Sequence, residues 1–275
     1  MRRWVIILSA LFLSVWAGAQ DKYSCIPFSD ETRFQAGEVL TLGVSYKWGA
    51  VNTEVATAVI RLDETRLGRE TLYHSDLSAR TAPFFDVFFK IREHFEGWFK
   101  KGSLQPQKCI RDTHEGTYAA YNLYSYDWEA RQIHAFVDMT STGPMNLDIP
   151  LVDCVCDVPS LVYFIRQTDL TKMETGKRYG LNFAIDDMVF HIYLTKVGVE
   201  TIKVKGMGKV RCQKLSCSVV EGAMFEGDED VRIWLSDDAN QLPISFWAPL
   251  RVGAMRGTLK GYENLVYPFT ALEKK

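Results

Sequence analysis

From Val39 onward apolar and polar residues alternate with a period near two, in runs rich in Val, Ile, Tyr, Phe and Thr that are separated by short polar turns. That period sends successive side chains to opposite faces of a strand. The runs predict strands at about 38–48, 54–63, 69–80, 91–99, 104–113, 117–129, 131–138, 178–186, 189–198, 201–219 with an interruption, 230–236, 243–249 and 252–262. Turn chemistry supports several of the joints. Asp186-Asp187 separates Leu181 to Ile185 from Val189 to Leu194, which reads as a hairpin, and Trp128-Glu-Ala-Arg131 turns the chain between two aromatic runs. The Gly206-Met-Gly208 pair reads as a bulge or a turn.

Two places break the period. Pro83-Phe-Phe-Asp-Val-Phe-Phe89 sets Phe84, Phe85, Phe88 and Phe89 at a spacing that suits one short helix. Asp157-Val-Pro-Ser-Leu-Val-Tyr-Phe-Ile-Arg166 predicts the second, with Asp157 as its cap and Pro159 tolerated in its first turn. The expected fold is therefore mainly β, about a dozen antiparallel strands in a curled sheet, half-barrel or barrel-like sandwich, with two short helices. No Pro- or Gly-rich linker divides the chain, so one β-rich domain is expected over 34–265, after an extension at 20–33 and before a tail at 266–275. Residues 139–157 show no clear period and mark a boundary between pseudo-halves 34–138 and 158–265, or a mobile loop.

The amino terminus changes the compartment. Arg2 and Arg3, the apolar run Trp4 to Trp16 and the small residues Ala17-Gly18-Ala19 read as a secretory signal ending at residue 19. The apolar run is shorter than the roughly 20 residues that span a bilayer, and no second stretch approaches that length. The expectation is an exported protein of the periplasm, free or associated with the outer membrane, with no transmembrane segment after cleavage. Cys25, Cys109, Cys154, Cys156, Cys212 and Cys217 would then meet oxidising conditions. Their pairing stays open, except that Cys212 and Cys217, five apart in one strand, point to opposite faces and should not join each other.

Composition narrows the function further. With 275 residues and 47% hydrophobic content the chain can bury a core, and 32 basic against 34 acidic residues supply no field for gathering phosphates, so nucleic acid is not the expected partner. Catalytic signatures are missing: no Gly-x-Ser-x-Gly elbow, no phosphate loop, no His-Glu-x-x-His. Histidines 74, 94, 114, 134 and 191 are scattered, and His94 and His134 alternate with apolar neighbours as on the polar face of a sheet. Cys154 and Cys156 lack the two further ligands that zinc requires, and the acidic stretch Glu226-Gly-Asp-Glu-Asp230 lacks calcium-loop spacing. No catalytic residue, cofactor or metal is expected. The aromatic content, 7 Trp, 12 Tyr and 16 Phe, is the unusual quantity. Its sharper reading makes Phe84, Phe85, Phe88 and Phe89 a lid over an apolar ligand, and its plainer reading makes them core.

Three stretches carry a resemblance: Phe34-Gln-Ala-Gly-Glu-Val-Leu40 with Tyr46; the helix Asp157 to Arg166; and Val231-Arg-Ile-Trp-Leu-Ser-Asp-Asp238 with Leu242-Pro-Ile244. Over about 34–262 the chain resembles the exported-protein family numbered 3108 among the domains of unknown function, and its signal resembles those of Bacteroides-type Gram-negative bacteria. The resemblance implies an envelope protein and brings no catalytic residues with it. The element order is also similar to the half-barrel lipoprotein carriers of the Gram-negative envelope. The expected function is non-catalytic binding of an apolar ligand, lipid or lipoprotein-like. An adaptor of an envelope protein assembly is the alternative, with a glycan or lipid hydrolase third.

Overall fold

The computed structural model describes residues 24–219, 230–250 and 252–273. The signal-like segment 1–19 and most of the acidic stretch 226–230 lie outside them. Among the described residues fifteen strands form one sheet. An antiparallel meander runs through β1 (Glu38–Trp48), β2 (Val51–Leu67), β3 (Glu70–Thr81), β4 (Ile91–Lys100), β5 (Pro106–Glu115), β6 (Tyr118–Asp127), β7 (Gln132–Met139) and β8 (Gly143–Pro150). The chain then passes through β9 (Val155–Cys156) and a helix, α2 (Val158–Gln167). A second meander follows in β10 (Arg178–Ile185), β11 (Met188–Val204), β12 (Gly208–Val219), β13 (Val231–Ser236), β14 (Pro243–Pro249) and β15 (Ala254–Glu263). β15 pairs with β1, so the two meanders join mid-sheet, and β8 and β9 are the ends of an arc that is not closed into a barrel. The β9–β10 pair is the parallel one.

The mainly β expectation is met, with three local differences. The 139–157 stretch contains β8 and β9. Met145, Leu147 and Ile149 do alternate there, but Pro144 and Pro150 obscure the run, and an edge strand tolerates prolines because one side of its backbone needs no partner. β11 runs on to Val204, where two strands were expected, because a bulge between Lys196 and Gly198 absorbs the glycine. The helix expected over 83–89 is a single turn, α1 (Pro83–Asp86).

α2 forms where its sequence predicts. Ser160 N donates to Asp157 Oδ1 at 2.9 Å and the Ser160 hydroxyl accepts from Asp157 N at 3.0 Å, a reciprocal cap. The helix sits inside the arc against β3 and β4 of one arm and β9 and β10 of the other. Tyr163, Phe164 and Ile165 fill the larger core there with Phe34, Tyr73, Phe99, Leu181 and Leu259. A second core joins Tyr124, Tyr126, Ile133 and Val137 of β6 and β7 to Val155 and Ala184 of β9 and β10. The curl is thus held by side chains meeting across its interior.

Candidate functional site

Antiparallel order puts the β1–β2, β3–β4, β5–β6 and β14–β15 connections on one rim of the sheet, since Trp48 pairs with Val51, Ala56 with Thr81, Ile91 with Glu115, and Pro249 with Ala254. α1 is the β3–β4 connection. Pro83 presets its first turn, and its conformation is fixed from below. Arg92 of β4 holds Asp86 through both carboxylate oxygens, at 3.0 and 2.5 Å, and the Thr81 hydroxyl donates to the same carboxylate while accepting from Ile91 N at 3.1 Å. The Arg92 and Thr81 bonds hold the Asp86 carboxyl down at about 2.

On this clamped turn none of the four phenylalanines is buried. Phe84 is 72% exposed, Val87 83% and Phe88 76%, with Phe89 also more than half exposed and Phe85 between exposed and buried. Phe84 stands edge-on to Phe85, its ring centroid 5.1 Å away, and tilts against Phe88 at 6.0 Å. The plainer expectation, that these residues fill the core, does not describe them. Trp48 on the β1–β2 turn and Val252 on the β14–β15 loop are likewise more than half exposed, and Tyr46 Oη donates to Val252 O at 2.8 Å, tying those two connections together. Elsewhere among the described residues, exposed large hydrophobic side chains stand singly or in a pair.

Below α1 on the outer face of β2–β5 lies a groove of about 450 Å³, lined by Arg61, Arg80, Arg92, His94, Asp112 and His114 among others. Arg80, Arg92 and His114 form one cross-strand row. His94 Nε2 lies 3.2 Å from Asp76 and His114 Nε2 3.1 Å from Asp112. Elsewhere His74 meets Glu96 at 2.9 Å and His134 meets Asp148 at 2.7 Å. The described residues bring together no group able to hold a metal ion.

The inner face carries a polar cluster that sequence reasoning missed. Arg111 Nε donates to Thr113 at 2.9 Å and its guanidinium pairs with Asp186 of the β10–β11 turn. Asn122 donates to Asp186 at 3.1 Å, and Tyr124 Oη to the Asp186 carbonyl at 2.9 Å. Thr113 in turn donates to Glu93 at 2.6 Å. Burial, with the neighbouring Glu115 carboxyl, pushes Glu93 up to about 7 against the Thr113 bond that favours its charge. This cluster latches the tip of one arm onto the other. The signal for it was phase: Glu93 shares a face with Phe95 and Phe99, and Arg111 shares one with Cys109, so each is a charge on the apolar side of its strand.

Of the six cysteines, Cys25 and Cys154 form a disulfide with Cα atoms 6.0 Å apart, and Cys109, Cys156, Cys212 and Cys217 are free. Cys212 and Cys217 are not joined to each other, as their spacing predicts.

The DUF3108 profile, described as a protein of unknown function, matches residues 44–260. The chain belongs to the DUF3108 family. A search of curated proteins finds no match. Among solved structures, the chain is similar to a β-barrel-like protein of domain of unknown function DUF1849 from Brucella abortus, at 9% identity and TM-score 0.51, over 89% of this chain and 100% of that one. That likeness concerns the fold. A weaker likeness, TM-score 0.35 at 9% identity over 87% of this chain and 100% of the other, is to an exported-protein candidate of YmcC-like fold from Bacteroides fragilis. A lipoprotein candidate from Parabacteroides distasonis follows at TM-score 0.29 and 8% identity over the same shares. The DUF3108 chain has no described helix long and apolar enough to cross a membrane.

Proposed function

We propose that this DUF3108 protein is an exported, non-catalytic binding protein of the Gram-negative periplasm that holds an apolar ligand, an acyl chain of a lipid or of a lipid-modified protein, on the α1 rim. The observation that carries the reading is Phe84, Val87, Phe88 and Phe89 held exposed on a turn clamped by Thr81, Asp86 and Arg92. Burying a side chain of this size is worth about 1.5–3 kcal/mol, so a rigid turn presenting four of them to water has a strong reason to be covered. The signal-like amino terminus supports export, and the Cys25–Cys154 disulfide fits an oxidising compartment.

Titration of the mature protein with a fluorescent fatty acid tests the reading. Saturable binding is expected, lost by at least about tenfold in Phe84→Asp/Phe88→Asp, while thermal unfolding is unchanged because both side chains are already in water. Binding that survives the double substitution would refute the α1 rim as the site.

A further inference from the structure

The groove below α1 and the apolar tips above it sit on the same few strands, and their order suits one kind of surface. We infer that the rim docks the protein on an anionic lipid bilayer, with the side chains of α1, Trp48 and Val252 entering the interfacial layer and Arg80 and Arg61 meeting lipid phosphates behind them. This rests on the reading of α1 as an apolar binding site and names the surface it meets.

The charge pattern is the first support. Two of the apolar tips have a cation beside them, Lys47 before Trp48 and Lys90 after Phe89. Lys47 and Lys90 are exposed, so their ammonium groups can reach headgroups while the neighbouring rings go deeper. The acids of this rim are engaged. Asp86 is held by Arg92 and Glu54 by Lys260 at 2.6 Å, while Glu115 shares its proton-binding site with Glu93 and not with a cation. Arg61 and Arg80, by contrast, are exposed and make no ion pair with another described residue.

Depth is the second support. Arg80 directly precedes Thr81, where β3 ends, and Arg80, Arg92 and His114 form the groove's row nearest α1. Arg61 lies four residues further along β2 than Thr57, the residue paired with Arg80, which at about 3.3 Å per residue is roughly 13 Å. The polar layer on each side of a bilayer is about 5–8 Å thick. With the α1 rings at the hydrocarbon boundary, the Arg80 row falls among the phosphates, and Arg61 lies behind that layer and meets its outer edge only by extending its side chain toward it. Exposed apolar side chains on separate turns, flanked by cations, suit a fluid surface that closes around each tip better than a protein partner needing one continuous face.

Cosedimentation of the mature protein with vesicles tests this, using phosphatidylcholine alone and phosphatidylcholine mixed with phosphatidylglycerol. The expected result is binding to the mixed vesicles that weakens with salt, and binding at least tenfold weaker to phosphatidylcholine alone. Arg61→Ala/Arg80→Ala should weaken binding to the mixed vesicles by about 30-fold, roughly a fifth of the affinity being kept per arginine, and leave thermal unfolding unchanged. Phe84→Asp/Phe88→Asp should abolish it. Equal binding to both vesicle types, or binding indifferent to the arginine pair, would overturn the inference. If fatty acid binds at α1 but vesicles do not sediment the protein, docking is refuted while the apolar site stands. If neither binds, both fail. A dimer in solution that dissociates in Phe84→Asp/Phe88→Asp would instead assign the rim to a second copy of the chain and overturn docking.

Discussion

Glu93 is a carboxyl on the apolar face of β4, and its consequences can be read from its proton. Its affinity for that proton rises from the ordinary 4.5 to about 7 on folding, chiefly through desolvation. The folded chain therefore holds the proton more tightly than the unfolded chain. The associated stability is fully present below about pH 4.5 and is lost as pH rises through about 7. Asp157, buried at the cap of α2 and raised to about 6, acts with the same sign but in a lower window, from 3.8 to about 6. The melting temperature should thus fall as pH rises from about 4.5 to about 7, and Glu93→Gln should remove the part of that fall above about pH 6, where Asp157 no longer contributes; an unchanged slope there in the variant would assign the effect elsewhere. Arg166 shows a different residue-scale solution. It is wholly buried, paired with Glu38, donates to Arg33 O at 2.9 Å and Asn240 O at 3.2 Å, and lies over the Phe34 ring at 5.4 Å. A charge so enclosed is tolerable because its donors are taken up by acceptors, and removing either partner of such a pair typically costs about 3–5 kcal/mol. In the sequence Arg166 reads only as a cation at a helix end; Glu38, 128 positions away, could not be matched to it.

At the scale of elements, legibility followed local chemistry. The α2 cap needed only Asp157, Pro159 and Ser160, all within four residues, and was visible in the sequence. The β6–β7 and β10–β11 turns were visible for the same reason. β8 was hidden by its prolines, whose tolerance depends on β8 being an edge, a property of the whole sheet. α1 was legible as an aromatic turn, but its exposure was not, because hydrophobic residues on a connection read as core until the strands beneath it are placed. The disulfide belongs here too, since it ties the segment before β1 to the turn before β9 across 129 residues. Closing a loop that long constrains the unfolded chain by about 4–5 kcal/mol in the entropic account. Cys25→Ser/Cys154→Ser should lower the unfolding free energy by a few kcal/mol in denaturant titration, and thiol counting on the denatured wild type should find one bridge. An unchanged stability would mean that the end of the arc is held by α2 and its core alone.

For the molecule as a whole, the arc explains why one rim can be given over to binding. Fifteen described strands curl around α2, the Arg111–Asp186 contact latches the tip of one arm to the other, and α2 packs with the larger core inside the arc, while the α1 turn carries a cluster of apolar side chains that remains in water. The central claim is that this surface carries an acyl ligand. Native mass spectrometry of the protein purified from its own periplasm tests it most directly, run beside Phe84→Asp/Phe88→Asp and followed by denaturing extraction and lipid analysis. The account predicts an acyl-bearing species of defined mass on the wild type that is released on denaturation and is missing from the variant. A wild type of bare polypeptide mass, or a ligand kept equally by the variant, would contradict it.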